Sequence, residues 1–257
     1  MTQAATERVP LITRLRQHRG RVWVVGHRGA MGYCPENTLT SCERAVALGA
    51  DWIELDVHIT RDGGLAVIHD DTVDRTTNGH GFVRDLTIAE LKALDAGNGE
   101  RVPLLAEVLD WARTRNVVVD IEMKNVPLYY PGIEQAVVDT VHQSDMTQQV
   151  IVISFDHRAV QRVKQLDPSI VTGVLYAGRP ADGGVGLARS VSADALLPHY
   201  HYVTKEDVEL AHGVGLAVAP WATSEPHEVR ALLAAGVDAI ATNHPDVVRG
   251  VVDGVQQ

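Results

Sequence analysis

Cysteine is almost absent, with Cys34 and Cys42 the only two. That is too few for a disulfide framework, so both are expected as thiols. A positive charge balance is also missing: 23 Lys and Arg stand against 33 Asp and Glu, a net charge of -10. Nucleic acid or an anionic membrane is therefore not expected as the main partner. No apolar run approaches the length of a membrane span. Met1 to Arg21 mixes Gln, Thr, Glu, Arg and Pro without the apolar core of about 7 to 15 residues that a secretory signal carries. A cytoplasmic location is the resulting expectation. There is no internal repeat or low-complexity tract, and no cysteine cluster or HExxH pair to suggest zinc. What is present, 45% hydrophobic and 22% charged residues, belongs to an ordinary globular chain able to bury one full core.

Short apolar runs alternate with helical patterns, which predicts parallel beta-alpha units. Strands are expected at 22–26, 52–58, 65–69, 117–123, 150–154, 171–176, 194–197, 215–220 and 239–242, one more than an eight-stranded barrel needs. Helices such as Leu105 to Arg113, His157 to Gln165, Lys205 to His212 and Pro226 to Ala235 lie between them. The extra strand is identifiable. Thr60-Arg61-Asp62-Gly63-Gly64 is too short for a parallel crossover and suits a hairpin. Residues 65–69 should therefore run antiparallel to the strand at 52–58 and begin an excursion. Thr87-Ile88-Ala89-Glu90 reads as a capping box inside it. The expected fold is an α/β TIM (β/α)8 barrel, a single domain over 1–257 with an inserted lobe at about 63–103 over its mouth.

Active sites of such barrels lie at the carboxyl ends of the strands, and chemistry-bearing residues gather there. Residues two apart on a strand share a face, so Glu54-Leu55-Asp56 and Glu122-Met123-Lys124 each aim two charged groups at one place. Glu54, Asp56 and Glu122 offer hard oxygen ligands suited to one divalent metal ion, Mg2+ or Ca2+. Ion pairing with Arg28 and Lys124 is the alternative use of those acids. His27 and His69, each ending an apolar run, are candidates for general acid and base. Arg28 offers a planar fork and Lys124 a point charge for phosphate oxygens. Asn37 either orients a hydroxyl or caps the first helix. Trp221 either stacks on a substrate or packs in the core. His58 shares the Glu54 and Asp56 face but is expected to turn to solvent. No chemistry is assigned to His199-Tyr200-His201-Tyr202, and Gly183-Gly184-Val185-Gly186 is expected to be a flexible loop.

From about Val25 onward the chain resembles the glycerophosphodiester phosphodiesterase family. The resemblance rests on Gly26-His27-Arg28-Gly29, Pro35-Glu36-Asn37-Thr38, Glu54-Leu55-Asp56-Val57 with Thr60-Arg61-Asp62-Gly63, His69-Asp70 with Arg75-Thr76-Thr77, Glu122-Met123-Lys124 and Thr242-Asn243-His244-Pro245. It implies a TIM barrel with a lobe after strand two, metal ligands at Glu54, Asp56 and Glu122, acid-base histidines at His27 and His69, and phosphate contacts from Arg28 and Lys124. The implied reaction hydrolyses a small-molecule glycerophosphodiester to sn-glycerol 3-phosphate and an alcohol, with water or the neighbouring glycerol hydroxyl as nucleophile. Trp221-Ala222-Thr223-Ser224 departs from the family's usual Trp-Thr-Val-Asn, which bears on substrate preference. A lysophospholipase D-type activity and a non-catalytic phosphate-ligand barrel are the alternatives.

Overall fold

The computed structural model describes residues 11–16 and 21–255, so the reading of Met1 to Arg21 as lacking an export signal lies mostly outside the described residues. Its strands are β1 (Trp23–Gly26), β2 (Trp52–Ile59), β3 (Leu65–Val67), β4 (Val118–Met123), β5 (Val150–Ser154), β6 (Val171–Tyr176), β7 (Ala195–Pro198), β8 (Ala217–Val218) and β9 (Ala239–Thr242). Eight of them run parallel in the order β8-β7-β6-β5-β4-β2-β1-β9. Backbone bonds from Asp238 to Val218 (2.8 Å) and from Ala241 to Pro220 (3.0 Å) bring β9 back to β8 and nearly close the barrel. The helices are α1 (Leu11–Arg16), α2 (Leu39–Ala47), α3 (Ile88–Ala93), α4 (Leu105–Arg115), α5 (Ile133–Gln143), α6 (His157–Leu166), α7 (Val185–Val191), α8 (Lys205–Gly213), α9 (Pro226–Ala235) and α10 (Pro245–Val255).

The ninth strand pairs as its short connection requires. Thr60 donates to Gly64 at 2.8 Å, Gly63 takes a positive φ of 87°, and β3 folds back antiparallel on the second half of β2. Glycine supplies that left-handed turn without steric cost. Two expectations need correction. The strand expected over 215–220 shrinks to Ala217–Val218: beyond it Ala219 and Trp221 still donate to Leu196 and Pro198 at 2.9 and 3.1 Å, but Pro198 on β7 has no N–H with which to return a bond. The stretch Gly183 to Gly186 is not a loose loop: Gly184, at a φ of 91°, opens α7, and Tyr176 donates to the Gly183 carbonyl at 3.1 Å.

Between β3 and α4 the chain builds a small apolar cluster of its own from Ala66, Ile68, Val73, Val83, Leu91, Ala96 and Val102. Thr87 and Glu90 cap α3 reciprocally within it. Because β2 outruns the barrel and returns through β3, this segment leaves His69 two residues past β3, facing the barrel mouth.

Strand alternation divides the barrel interior unevenly. The inward positions of β7, β8 and β9 and their continuations are Ala195, Leu197, Ala217, Ala219, Ala239 and Ala241, and all six line one cavity of about 220 Å3. Opposite them stand Trp52, Glu54, Asp120 and Glu122. Barrel interiors are ordinarily filled by bulky branched side chains, and here alanine leaves room.

At the amino ends of the strands a different device recurs. Asp51, Asp194 and Asp238 each precede a strand, and each carboxylate accepts a backbone N–H from a neighbouring strand: Val24 at 2.9 Å, Thr172 at 2.9 Å and Val218 at 2.7 Å. Each also has a charged or titratable partner, Arg21 and Arg249 on Asp51, Lys164 on Asp194 and His212 on Asp238.

Candidate active site

The loop after β1 is wound tightly enough to put two functional groups in sequence. Arg28 takes a left-handed φ of 52°, and Gly29 follows at 80°. A Cβ on Gly29 would come within 2.5 Å of the Ser41 backbone carbon, so only glycine fits there. The turn aims the Arg28 backbone N–H at Glu54 (2.9 Å) and its guanidinium at both Glu36 (2.9 Å) and Asp56 (3.3 Å). His27 places Nε2 3.9 Å from Glu54, while its Nδ1 lies 2.7 Å from Asn243 Oδ1 just past β9. With that oxygen as acceptor, Nδ1 carries the proton and Nε2 presents a lone pair to the mouth.

Asp56 and Glu122 sit in register on adjacent strands, as do Glu54 and Asp120. Ligand oxygens of Glu54, Asp56 and Glu122 all lie within 4.8 Å of one another. Lys124 reaches Glu122 at 2.7 Å and Asp56 at 3.5 Å. These two cations do not neutralise the group. Burial and the Asp56 and Glu122 charges push Glu54 well above the usual carboxylate range, and burial with Asp56 lifts Glu122 to about 7. Burial would raise Asp56 too, but Lys124 and Arg28 outweigh it and hold that carboxyl at about 2. Asp56 Oδ1 is buried without a hydrogen bond. Surplus negative charge and an orphaned oxygen both fit a hard divalent cation.

Asn37 is corrected in one respect. Thr38 caps α2, with its side chain accepting from Ser41 N, whereas buried Asn37 donates from Nδ2 to Asp56 (2.9 Å) and accepts from the Asp56 backbone (3.3 Å). Its amide therefore fixes one carboxylate. His58 is also corrected: it does not turn to solvent but is 3% exposed, held between Tyr130 Oη (3.0 Å) and the His69 carbonyl (2.9 Å). His58 thereby ties β2 to the residue that carries the second candidate histidine. His69 itself places Nδ1 2.6 Å from Asp70.

Several groups at this site received no role in the sequence reading. Arg75 forks onto Asp70 and Glu36, with four contacts of 2.7 to 3.0 Å, and Glu36 passes the connection to Arg28. Asn243 orients His27. Both lie within motifs already visible, but their partners are 216 and 39 residues away in sequence, a distance that local pattern does not bridge. Asp120 was visible as the first of three alternating charged residues, Asp120, Glu122 and Lys124. At the rim Trp221 donates to the Leu197 carbonyl at 2.9 Å and meets Phe155 and His199 edge-on, with one face on the cavity.

A sequence model of the glycerophosphoryl diester phosphodiesterase family matches residues 27–247. A glycerophosphodiester phosphodiesterase of Caldanaerobacter subterraneus subsp. tengcongensis is 39% identical over 89% of this chain and 97% of its own. One from Bacillus subtilis is 34% identical over 91% and 87%. An Oleispira antarctica phosphodiesterase, solved in complex with the product sn-glycerol-3-phosphate, superposes with a TM-score of 0.82 at 26% identity, covering 92% of this chain and 98% of that one. With a motif match across most of the chain, these relatives and a barrel of the same build, the chain belongs to the glycerophosphoryl diester phosphodiesterase family of enzymes.

Proposed function

We propose that the chain hydrolyses glycerophosphodiesters to sn-glycerol 3-phosphate and an alcohol, in the cytoplasm, with one Mg2+ or Ca2+ ion held by Glu54, Asp56 and Glu122. The observation that carries the reading is that His27 and His69, from separate strand ends, line the same cavity as Glu54, Glu122, Arg28 and Lys124. A pure phosphate binder has no use for two such histidines. When bound, the ion supplies positive charge to phosphate oxygens and to the incoming nucleophile.

The protein's own groups divide the remaining work. His27, with Nδ1 committed to Asn243, takes a proton at Nε2 from the attacking hydroxyl, whether water or the glycerol's own. His69, whose Nδ1 faces the Asp70 carboxylate, is suited to hold a proton and deliver it to the departing alcohol oxygen. Arg28 and Lys124 meet the charge that grows on the phosphate oxygens as the nucleophile adds. Asn37, Asn243 and the Glu36 to Arg75 linkage hold these groups in place. No helix among the described residues is long and apolar enough to cross a membrane.

The direct test is enzymatic release of glycerol 3-phosphate from glycerophosphocholine and glycerophosphoethanolamine, after exhaustive chelation and after return of Mg2+ or Ca2+. Release only with added ion is expected; full activity in chelator removes the metal from the reading. A second substrate, a lysophospholipid, is favoured by the rim, where Phe155 is 38% exposed beside Trp221. Lysophosphatidylcholine belongs in the same assay for that reason.

A further inference from the structure

Beside Glu54 in register lies a fourth acid with a different status. Asp120 faces the barrel interior two residues before Glu122, is 4% exposed and lines the cavity. Its Oδ1 is buried without a hydrogen bond, and among the described residues its side chain has no hydrogen-bond or ion-pair partner. Its three neighbours are all engaged: Glu54 by the Arg28 N–H, Asp56 by Asn37 and Arg28, Glu122 by Lys124. Nor does Asp120 belong to the group whose oxygens could share an ion, which is Glu54, Asp56 and Glu122.

A buried carboxyl without a partner is costly, and one kept at a cavity wall points to a partner that arrives from outside. The surroundings narrow its chemistry. The cavity that Asp120 lines is also walled by Val25, Trp52, Ile151, Ala217 and Ala239, with Asp238, and its cationic members are Arg28 and Lys124. Both cations are committed to Asp56 and Glu122, so among the described residues none is left to attract a second phosphate, and a hydrocarbon would leave the carboxyl as orphaned as before. A short polyol answers both surfaces, laying its C–H face on alanine and indole and donating an O–H to the carboxyl. The depth agrees. Two residues of strand rise, about 6.6 Å, separate Asp120 from Glu122, which holds Lys124 at 2.7 Å, a span that a phosphate with a short carbon chain covers and a lone phosphate does not.

We propose that Asp120 is a specificity-determining residue, accepting a hydrogen bond from a hydroxyl of the substrate's glycerol unit. This rests on the proposed phosphodiesterase reading and deepens it. It requires the phosphate to sit at the mouth with the glycerol pointing inward and the leaving alcohol outward. A site built to bond a substrate hydroxyl discriminates sharply against an analogue that lacks it, because the buried acceptor is then left unpaired.

The test compares the p-nitrophenyl esters of glycerol phosphate and of propyl phosphate, which share a leaving group and differ only in the hydroxyls. Both are assayed with the metal-loaded enzyme. Wild type should favour the glyceryl ester by at least about a hundredfold in kcat/KM. Asp120→Leu should lower that ratio by at least about tenfold, chiefly by loss on the glyceryl ester. Asp120→Asn, which keeps an acceptor oxygen, should retain much of the preference. Equal losses on both esters in Asp120→Leu would make Asp120 structural and overturn the proposal. Should that variant fail to fold, Asp120→Ser, which draws the acceptor back out of reach, takes its place, and an unchanged ratio there overturns the proposal. A wild-type ratio near unity with brisk turnover removes the hydroxyl contact and leaves the phosphodiesterase reading standing. Turnover of neither ester, nor of glycerophosphocholine, takes down both.

Discussion

At the amino end of the barrel Asp51, Asp194 and Asp238 each receive a backbone N–H and a basic partner. At the carboxyl end Glu54, Asp56, Asp120 and Glu122 crowd together, and among the described residues Arg28, Lys124 and His27 are in ion-pair reach of them. The same residue types thus serve opposite ends of one barrel. Acids whose lone pairs are filled stabilise the fold, whereas acids left in surplus store an electrostatic cost that a ligand relieves.

The sharpest way to break that contrast is at Glu54. Glu54→Gln should cut kcat/KM by on the order of a thousandfold without lowering the thermal midpoint of the metal-free protein, since it removes one of several repelling charges. Chelation of wild type should do the same to activity, reversibly. A large fall in midpoint with activity retained would assign Glu54 to the fold instead.

Next come the histidines. His27→Ala and His69→Ala should each lower turnover by about two to four orders of magnitude, with the far-UV spectrum and metal affinity largely kept. Near-normal turnover in His69→Ala would detach the β3 hairpin from the chemistry. Lys124→Met should follow, with kcat down by about a hundredfold and KM changed less, because its charge is needed most in the transition state. A raised KM with intact kcat would reduce Lys124 to substrate capture.

The amino end supplies the converse. Asp194→Ala orphans the Thr172 N–H and takes the carboxylate from Lys164, which keeps the Pro168 and Ile170 carbonyls, and should cost about 1 to 3 kcal/mol in denaturant unfolding, with kcat within about twofold. Loss of catalysis without loss of stability there would erase the distinction between the ends. The smallest effect is protonic. Glu122, lifted to about 7 by burial and Asp56, is partly protonated at neutral pH when no ion is bound. A carboxyl raised above its ordinary 4.5 gives a stabilising contribution that is full below 4.5 and lost as pH rises through 7. The metal-free protein should therefore weaken over that window, and ion binding near pH 7 should release protons, read as a buffer-dependent calorimetric enthalpy. A buffer-independent enthalpy would mean that Glu122 is already ionised.

Much of this was legible in the chain. Alternation on single strands put Glu54 with Asp56 and Glu122 with Lys124, and the five-residue turn at Thr60 to Gly64 forced the antiparallel strand that leads to His69. Those are local rules. Asn37 read equally well as a helix cap, because its bond to Asp56 exists only once β2 passes beside the loop. His58 read as solvent-facing because Tyr130, 72 residues on, supplies its partner. The shortening of β8 traces to Pro198 on the neighbouring strand, a pairing that the residues of β8 themselves do not announce.

The alanines at 195, 217, 219, 239 and 241 carry a consequence for engineering. A barrel whose interior is under-filled forgoes packing energy that larger residues would restore, at roughly 0.8 kcal/mol for each buried methylene. Consensus-style hardening of this protein against heat would be drawn to those positions, since Ala219→Val or Ala241→Val adds contacts where a void stands. Every such gain would occupy volume that a substrate needs, so thermal robustness and turnover would trade directly along three strands. Variants sought for both properties should leave that wall alone and draw their stability from the helices outside it.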